Sequence, residues 1–139
     1  AALVLTTAGE AEAAGVTPLA RIVAHASHAQ TPETFTTAPL GAIKSVAERA
    51  GWDLASVDLF EINEAFAMVA MLAIDGLGLD EAKVNIHGGA CALGHPIGAS
   101  GARIVVTLLH ALRRTGGTRG IASLCIGGGE ATALAVELL

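Results

Sequence analysis

Short apolar runs typical of β-strands alternate with longer segments of helical periodicity, and this alternation restricts the possible folds more than any other feature of the chain. The strand-like runs are residues 21–28, 58–62, 84–87, 120–126 and 131–138, and helical patterns lie between them at residues 39–50, 65–76 and 100–114. Strands that alternate with helices build a mainly parallel sheet covered by helices. Only the last two strands, separated by Gly127-Gly128-Gly129, are expected to form an antiparallel hairpin. The pattern predicts an α/β fold.

The first residues form a separate pair of a strand-like run and a helical pattern. Residues 2–7 are apolar and β-competent, and residues 8–15 are rich in alanine and end at Gly15. Thr17-Pro18 interrupts the pattern and marks a linker or a domain edge. Because the chain also begins within an apolar run and without Met, we expect a fragment or a subunit of a larger protein.

Composition and charge limit the partners of the chain. Its 139 residues are 53% hydrophobic and 15% charged, so few charges cover the surface of one domain and we expect further protein to cover part of it. A net charge of −5 gives no basic face for nucleic acid or for an anionic membrane. The apolar runs are interrupted before they could span a bilayer, no leader opens the chain, and two cysteines make no disulfide framework. A cytoplasmic protein with free thiols is expected.

A glycine-rich stretch at residues 88–101 contains a single histidine, His95. Pro96 fixes its own φ angle, whereas Gly94, Gly98 and Gly101 allow turns and close backbone approaches. Such a loop can present an imidazole at a strand-to-helix junction as an acid, a base or a hydrogen-bond donor. The alternative is a packed histidine beside a tight turn. The stretch lacks the lysine of a P-loop and the glycine spacing of a dinucleotide fingerprint, so nucleotide hydrolysis is not expected.

Three side chains of different chemistry follow three of the predicted strands: Asn63, His95 and Cys125. In open parallel sheets, ligands bind beyond the carboxyl ends of the strands. A thiol activated by a nearby imidazole and by peptide dipoles can act as a base or a nucleophile, and an amide can donate to an oxygen or orient a water. The bare N–H groups of residues 127–129 suit a developing oxyanion. Together these groups indicate acyl transfer.

Each of these groups also has a structural interpretation. Cys125 can be a small buried hydrophobe, Asn63 can be a helix N-cap, and the three glycines can serve only as a turn. A supporting role is open to Glu64. Structural roles are expected for His87, Cys91 and His110. No spacing matches a metal site, and a pair formed by His25 and His28 is disfavoured because the two point to opposite faces of one strand.

Three segments resemble, in order and separation, the C-terminal motifs of the thiolases, the acetyl-CoA acetyltransferase group. They are Asn63-Glu64-Ala65-Phe66-Ala67, Gly94-His95-Pro96-Ile97-Gly98-Ala99-Ser100-Gly101 and Cys125-Ile126-Gly127-Gly128-Gly129. Three ordered motifs are far more specific than any one of them, and the resemblance covers essentially the whole chain. The one departure follows the third motif, where Glu130-Ala131 lacks the further glycine of many thiolases.

The resemblance implies the C-terminal half of a pseudo-symmetric enzyme. Residues 1–18 would be the last strand and helix of the N-terminal half, and residues 19–139 the C-terminal domain. Each half of a thiolase is a five-stranded mixed sheet with helices on both faces, which gives the order βαβαβαββ here. The two halves share a central helical layer, and thiolases assemble as homodimers or homotetramers.

The resemblance also implies a role for each site residue. Cys125 would take a proton from the methyl group of acetyl-CoA and return one to the leaving thiolate. His95 would activate the acylated cysteine and bind the thioester oxygen of the enolate, while Asn63 would hold the water that completes this oxyanion site. The N–H of Gly127 would donate to the second oxyanion. Coenzyme A thioesters would be the substrates, with no separate cofactor and no metal.

The cysteine that becomes acylated lies in the N-terminal half of thiolases, as do most contacts to coenzyme A. Cys91 does not match that position, so the isolated chain is expected to be inactive. The expected function is therefore part of an enzyme that condenses acetyl-CoA or cleaves 3-ketoacyl-CoA by thiolysis. One alternative is a non-catalytic assembly or regulatory chain of the same fold. Another is a ketoacyl synthase relative, although that group has a histidine where Cys125 stands.

Overall fold

The computed structural model describes residues 1–139. The chain forms five α-helices and four β-strands: α1 (Ala8–Ala13), β1 (Ala20–Ala29), α2 (Ala38–Ala50), β2 (Leu59–Ile62), α3 (Ala67–Leu77), α4 (Ala90–Leu93), α5 (Ile97–Thr115), β3 (Arg119–Ile126) and β4 (Glu130–Leu138). Short 3-10 helices occupy Pro32–Thr37, Leu54–Ser56 and Glu81–Lys83. Local signals set the ends of α2, since Pro39 lies in its first turn and Gly51 closes it with a φ of 69°.

The four strands form one mixed sheet in the order β1-β4-β3-β2. β2 and β3 are parallel, with Ile62 opposite Ser123, whereas β3 and β4 form the predicted antiparallel hairpin. β1 pairs antiparallel with β4, and a bulge between Ile22 and Ala24 shifts their register. The α/β fold is confirmed. Because β2 and β3 run in the same direction, the residues after Ile62 and Ile126 emerge at one edge of the sheet.

Helices cover both faces of the sheet, as predicted. On one face, α2 and α3 pack over the larger core, which includes Phe60 and Ile121. On the other face, α5 packs on β2 and β3 over a smaller core that includes Leu59 and Ala122. Neighbouring residues of a strand thus pack in opposite cores, because successive side chains point to opposite faces of the sheet. On the α5 side, a groove of about 230 Å³ lies between α5 and β4.

The predicted strand at residues 84–87 is wrong, so the sheet has four strands rather than five. Only Val84 forms a bridge, to Phe60. Asn85 has a φ of 48°, in the left-handed region, and this turns the chain away from the sheet. The Asn85 side chain then takes the place of a strand: its Oδ1 accepts from the Ile62 N–H at 2.8 Å and its Nδ2 donates to the Ile62 carbonyl at 2.8 Å.

The strand predicted at residues 2–7 is also wrong. These residues are exposed and have no regular structure, because no neighbouring strand pairs with them. The helix predicted next to them is present as α1, whose start is fixed by a reciprocal capping box between Thr7 and Glu10. None of the helices combines the length and the apolar character needed to cross a bilayer.

Candidate active site

The edge of the sheet where β2 and β3 end carries the candidate site residues. Asn63 follows the last residue of β2, and its N–H donates to the Ser123 carbonyl of β3 at 2.9 Å. Cys125 is the penultimate residue of β3. His95 reaches the same edge from the loop between α4 and α5, where Gly94 has a φ of 90° that other residues rarely adopt.

Asn63 and His95 are brought together. The Asn63 side chain is completely buried, and its Nδ2 lies 3.5 Å from Nδ1 and 3.4 Å from Nε2 of His95. Because the two distances are nearly equal, the amide nitrogen lies beside the ring rather than in line with one ring nitrogen. The predicted proximity of the amide and the imidazole is therefore present in the chain.

Ser100, which sequence analysis missed as a site residue, orients the imidazole. Its Oγ lies 2.6 Å from His95 Nδ1 and donates to the Pro96 carbonyl at 3.2 Å. A hydroxyl that donates its hydrogen to a carbonyl can accept the hydrogen of Nδ1. This assignment puts the hydrogen of a neutral imidazole on Nδ1 and leaves His95 Nε2 as the nitrogen that can take up a proton. The sequence signal for this role was the position of Ser100 five residues after His95 in the same motif.

An ion pair lies on the other side of Asn63. Nη1 of Arg103 donates to Glu61 Oε2 at 3.2 Å, and Nη2 donates to Asn63 Oδ1 at 3.4 Å. Burial raises the pKa of Glu61 to about 7, an increase that Arg103 opposes and the charge of Glu64 reinforces. Sequence analysis missed both partners, although a glutamate inside the apolar run of β2 was a visible signal.

Glu64 holds the turn that precedes His95. Its Oε2 accepts from the Cys91 N–H at 3.0 Å and its Oε1 accepts from Asn85 Nδ2 at 3.2 Å. The carboxylate also packs closely against Gly89. A Cβ added to this glycine would lie within 2.7 Å of Cδ and of both carboxylate oxygens of Glu64. Glu64 therefore has the supporting position that its place in the first motif left open. Cys91 is exposed and contacts this carboxylate through its backbone.

Cys125 lies on the opposite side of the sheet from Asn63. The thiol is 7% exposed, packs in the α2 core, and makes no hydrogen bond with His95 or Asn63. Burial raises its pKa, with a smaller opposing effect of its own backbone N–H. The pKa of the Cys125 thiol is therefore raised, and not lowered as sequence analysis considered. A raised pKa makes the thiolate scarcer but more basic, which suits proton abstraction more than acylation.

The glycine turn after β3 presents free N–H groups. Gly127 and Gly128 are exposed, and neither N–H donates to an acceptor within the chain. Such donors can stabilise an oxyanion. The Glu130 side chain packs against Gly128, and its Oε2 is buried without a partner.

The other candidate residues lie apart from this edge. His25 lines the groove beside α5, whereas His28 packs against Gly41 of α2, so the two do point to opposite faces of β1. His87 and His110 are exposed. No group of three or more His, Cys, Asp or Glu side chains lies close enough together to hold a metal ion.

A family model described as "Thiolase, C-terminal domain" matches residues 16–138 of the chain. Cytosolic acetyl-CoA acetyltransferase of Mus musculus is 56% identical over 137 residues, which is 99% of this chain and 34% of that protein. The chain thus spans about a third of the length of the curated relatives it matches.

Solved structures of similar proteins agree with the fold. The crystal structure of the Bacillus anthracis acetyl-CoA acetyltransferase superposes with a TM-score of 0.93 at 45% identity, over 96% of this chain and 34% of that one. The Acat5 thiolase of Ascaris suum, solved in complex with coenzyme A, superposes with a TM-score of 0.90 at 43% identity over the same shares of the two chains.

Proposed function

Because the chain belongs to the thiolase family and matches its C-terminal domain, we propose that it is the C-terminal part of an acyl-CoA acetyltransferase. The complete protein would condense two molecules of acetyl-CoA to acetoacetyl-CoA and free coenzyme A, and would catalyse the reverse thiolysis. The coenzyme A bound to the Ascaris suum thiolase supports coenzyme A thioesters as substrates. No further cofactor and no metal enter this proposal.

The site residues transfer protons and stabilise two oxyanions. His95 Nε2 first takes the proton of the cysteine in the N-terminal half, whose thiolate attacks the first acetyl-CoA, and the Cys125 thiol gives its proton to the leaving coenzyme A thiolate. The Cys125 thiolate then removes a proton from the methyl group of the second acetyl-CoA, and the enolate oxygen is stabilised by Nε2–H of the protonated His95 and by a water held by Asn63. The enolate carbon attacks the acyl-cysteine carbonyl of the N-terminal half, forming the carbon–carbon bond, and the N–H of Gly127 stabilises the resulting oxyanion. Collapse expels the cysteine thiolate, which takes back the proton from His95 Nε2 and completes the cycle.

One observation carries this proposal more than any other. Asn63 and His95 belong to motifs that are 32 residues apart in the chain, yet the amide nitrogen of one lies 3.4 Å from Nε2 of the other. An amide donor beside an imidazole, at the end of a parallel strand, is suited to an enolate oxygen. The free N–H groups of Gly127 and Gly128 lie at the end of the neighbouring strand.

The N-terminal half is the proposed main partner of this chain. Residues 1–18 would belong to that half and residues 19–139 would form the C-terminal domain. The relatives, of which the chain spans about a third, support a preceding half, as does the uncovered groove between α5 and β4. Homodimers or homotetramers are proposed from the family. The name of the mouse relative supports a cytoplasmic location. Neither nucleic acid nor a membrane is proposed as a partner.

The test is an assay of the complete protein that carries this domain. We expect it to convert acetoacetyl-CoA and coenzyme A to two molecules of acetyl-CoA, and to exchange the methyl protons of acetyl-CoA with solvent. A complete, folded protein that does neither with acetoacetyl-CoA or longer 3-ketoacyl-CoA thioesters would contradict the proposal. It would then favour a non-catalytic assembly role for the same fold.

A further inference from the structure

The ion pair of Glu61 and Arg103 lies directly behind Asn63, and the proposed chemistry does not use it. Glu61 is only 2% exposed, and Arg103 reaches it from α5 at 3.2 Å. Removing two such charges from water is so unfavourable that a well-packed apolar pair of similar volume is often equally stable or more stable. The pair is thus poorly explained by stability alone, and its other contact indicates what it does.

That other contact is with the Asn63 amide. The Arg103 guanidinium has five N–H donors and no acceptor, so it can contact the carbonyl end of an amide but not the NH2 end. With Nη1 on Glu61 and Nη2 on Asn63 Oδ1, the planar fork joins the two side chains. Rotation of the amide by half a turn would put an NH2 group against the guanidinium. Arg103 therefore selects one of the two orientations of the Asn63 amide.

The selected orientation directs the amide nitrogen towards His95. On α5, Ser100 and Arg103 are three residues apart and share a helix face, so one helix holds both the imidazole and the amide. On the sheet, Glu61 and Asn63 are two residues apart and share a strand face. Five side chains thus form a continuous series of contacts between β2 and α5, in the order Glu61, Arg103, Asn63, His95 and Ser100.

We propose that Arg103, held in place by Glu61, is a positioning residue for Asn63: it keeps the NH2 of the amide, rather than its carbonyl, directed to the oxyanion site beside His95. This proposal rests on the proposed acyl-transfer function and assigns a task to two residues outside the three motifs. Arg103 does not touch the substrate in this account. Loss of its fork would leave the amide free to present a carbonyl oxygen, which cannot donate to the water that completes the oxyanion site.

The first test replaces the guanidinium in the complete protein. Arg103→Met should lower the rate of methyl proton exchange of acetyl-CoA about 10- to 100-fold, as expected when a catalytic group is misplaced by about 1 Å. The KM for acetyl-CoA should stay within about twofold, because the ground-state contacts are unchanged. A matched control is Arg119→Met, which removes a partly buried ion pair with Glu137 at the far end of β3 and should leave exchange unchanged.

A double-mutant cycle separates positioning from a general structural effect. If Arg103 acts through Asn63, Arg103→Met should lower exchange by less than about threefold in an Asn63→Ala background, where no amide remains to be oriented. The proposal is overturned if Arg103→Met causes the same fold-loss with and without Asn63. Exchange by Arg103→Met at the wild-type rate would overturn it as well.

Arg103→Lys repeats the cycle if Arg103→Met does not fold. An ammonium keeps a cation opposite Glu61 but cannot form the planar fork to both partners, so we expect normal folding and an exchange rate between those of wild type and Arg103→Met. Failure of the proposed function is distinguishable, because the wild-type protein would then show neither exchange nor thiolysis. Activity in the wild type together with an additive cycle would refute the positioning role alone.

Discussion

Cys125 differs from the other candidate site residues because its thiol lies in the α2 core and its pKa is raised by burial. In the proposed reaction it removes and returns protons, whereas the acylated cysteine belongs to the other half. Cys125→Ala in the complete protein should therefore lower methyl proton exchange of acetyl-CoA by at least about 100-fold, the effect of losing a general base. Acylation by labelled acetyl-CoA should remain detectable.

A control variant completes that experiment. Cys91→Ala serves as the control because Cys91 is exposed and an alanine keeps the backbone N–H that donates to Glu64, so this variant should retain exchange. Unchanged proton exchange in Cys125→Ala would refute its assignment as the base.

Glu61 should make the stability of the protein depend on pH. Its pKa is raised from 4.5 to about 7 by burial, against the opposing charge of Arg103 and with the reinforcing charge of Glu64. The folded state thus keeps a proton that the unfolded state loses between those two values, so the free energy of unfolding falls as pH rises through this range. The shift corresponds to about 3 kcal/mol at most.

Glu61→Gln should remove this dependence. The difference in unfolding free energy between wild type and Glu61→Gln, measured by denaturant titration at pH 5 and pH 8, should change in favour of the variant at the higher pH. Glu48→Gln, on the exposed side of α2, is the control and should not alter the pH dependence. A constant difference between wild type and Glu61→Gln would contradict the raised pKa.

At the scale of residues, sequence analysis identified the groups with evident chemistry but not those that hold them. Asn63 directly follows the apolar run of β2, and His95 lies in a glycine-rich loop. Both features are visible in the sequence, and the two side chains do meet. Ser100 and Arg103 could not be selected in this way, because their roles depend on which face of α5 turns towards β2. Whether Cys125 is buried was left open for a related reason, because the sequence does not show which core each face of β3 contacts.

At the scale of elements, the short helix α4 depends on Glu64 more than on its own residues. Four residues make too little helix to be stable alone, and the Glu64 carboxylate accepts the Cys91 N–H in its first turn. Glu64→Ala should lower the free energy of unfolding by about 1–3 kcal/mol, the usual range for hydrogen bonds to a charged group. Amide hydrogen exchange at residues 89–94 should become faster than in wild type.

The specificity of that effect can be checked in the same measurement. Glu48→Ala removes an exposed carboxylate from α2 and should leave exchange at residues 89–94 unchanged. Equal exchange in Glu64→Ala and wild type would show that the carboxylate does not hold this turn.

The longer elements were predictable, and the two wrong strand predictions have different causes. Helical periodicity or alternation gave α2, α5 and the β3–β4 hairpin close to their observed bounds. Residues 2–7 and 84–87 have similar apolar composition, but a strand also requires a partner with free hydrogen-bonding groups. At residues 84–87 the left-handed conformation of Asn85 ends the pairing after one bridge. Sequence composition shows neither whether a partner strand is available nor that Asn85 is left-handed.

At the scale of the whole molecule, the exposed apolar side chains match the expectation that further protein covers this domain. Several surround the candidate site or the first residues, including Val4 at 95% and Ile97 at 84% exposure. Such side chains on a soluble domain commonly mark an interaction surface. The covering would also supply the acylated cysteine that the proposed reaction needs.

The isolated 139 residues should therefore show no thiolysis of acetoacetyl-CoA, while the complete protein does. The physical reason is that neither Cys91 nor Cys125 can replace the missing nucleophile: one is anchored to Glu64 through its backbone and the other is buried with a raised pKa. The assay follows the loss of acetoacetyl-CoA at equal molar concentrations of the two proteins. Measurable turnover by the isolated chain would refute this account of the nucleophile.

The side chain of Asn85 also affects whether strands of other molecules can add to the sheet. Sheet edges with free N–H and carbonyl groups can recruit strands from other molecules, a particular hazard in a chain that is 53% hydrophobic. At the β2 edge, Asn85 occupies both backbone groups of Ile62 and donates its own N–H to Phe60. At the β1 edge, the row of backbone N–H and carbonyl groups is interrupted by the bulge near Ile22 and by a hydrogen bond from the Arg49 guanidinium to the His25 carbonyl. A strand of another molecule that added to either border of the sheet would therefore have to displace these hydrogen bonds.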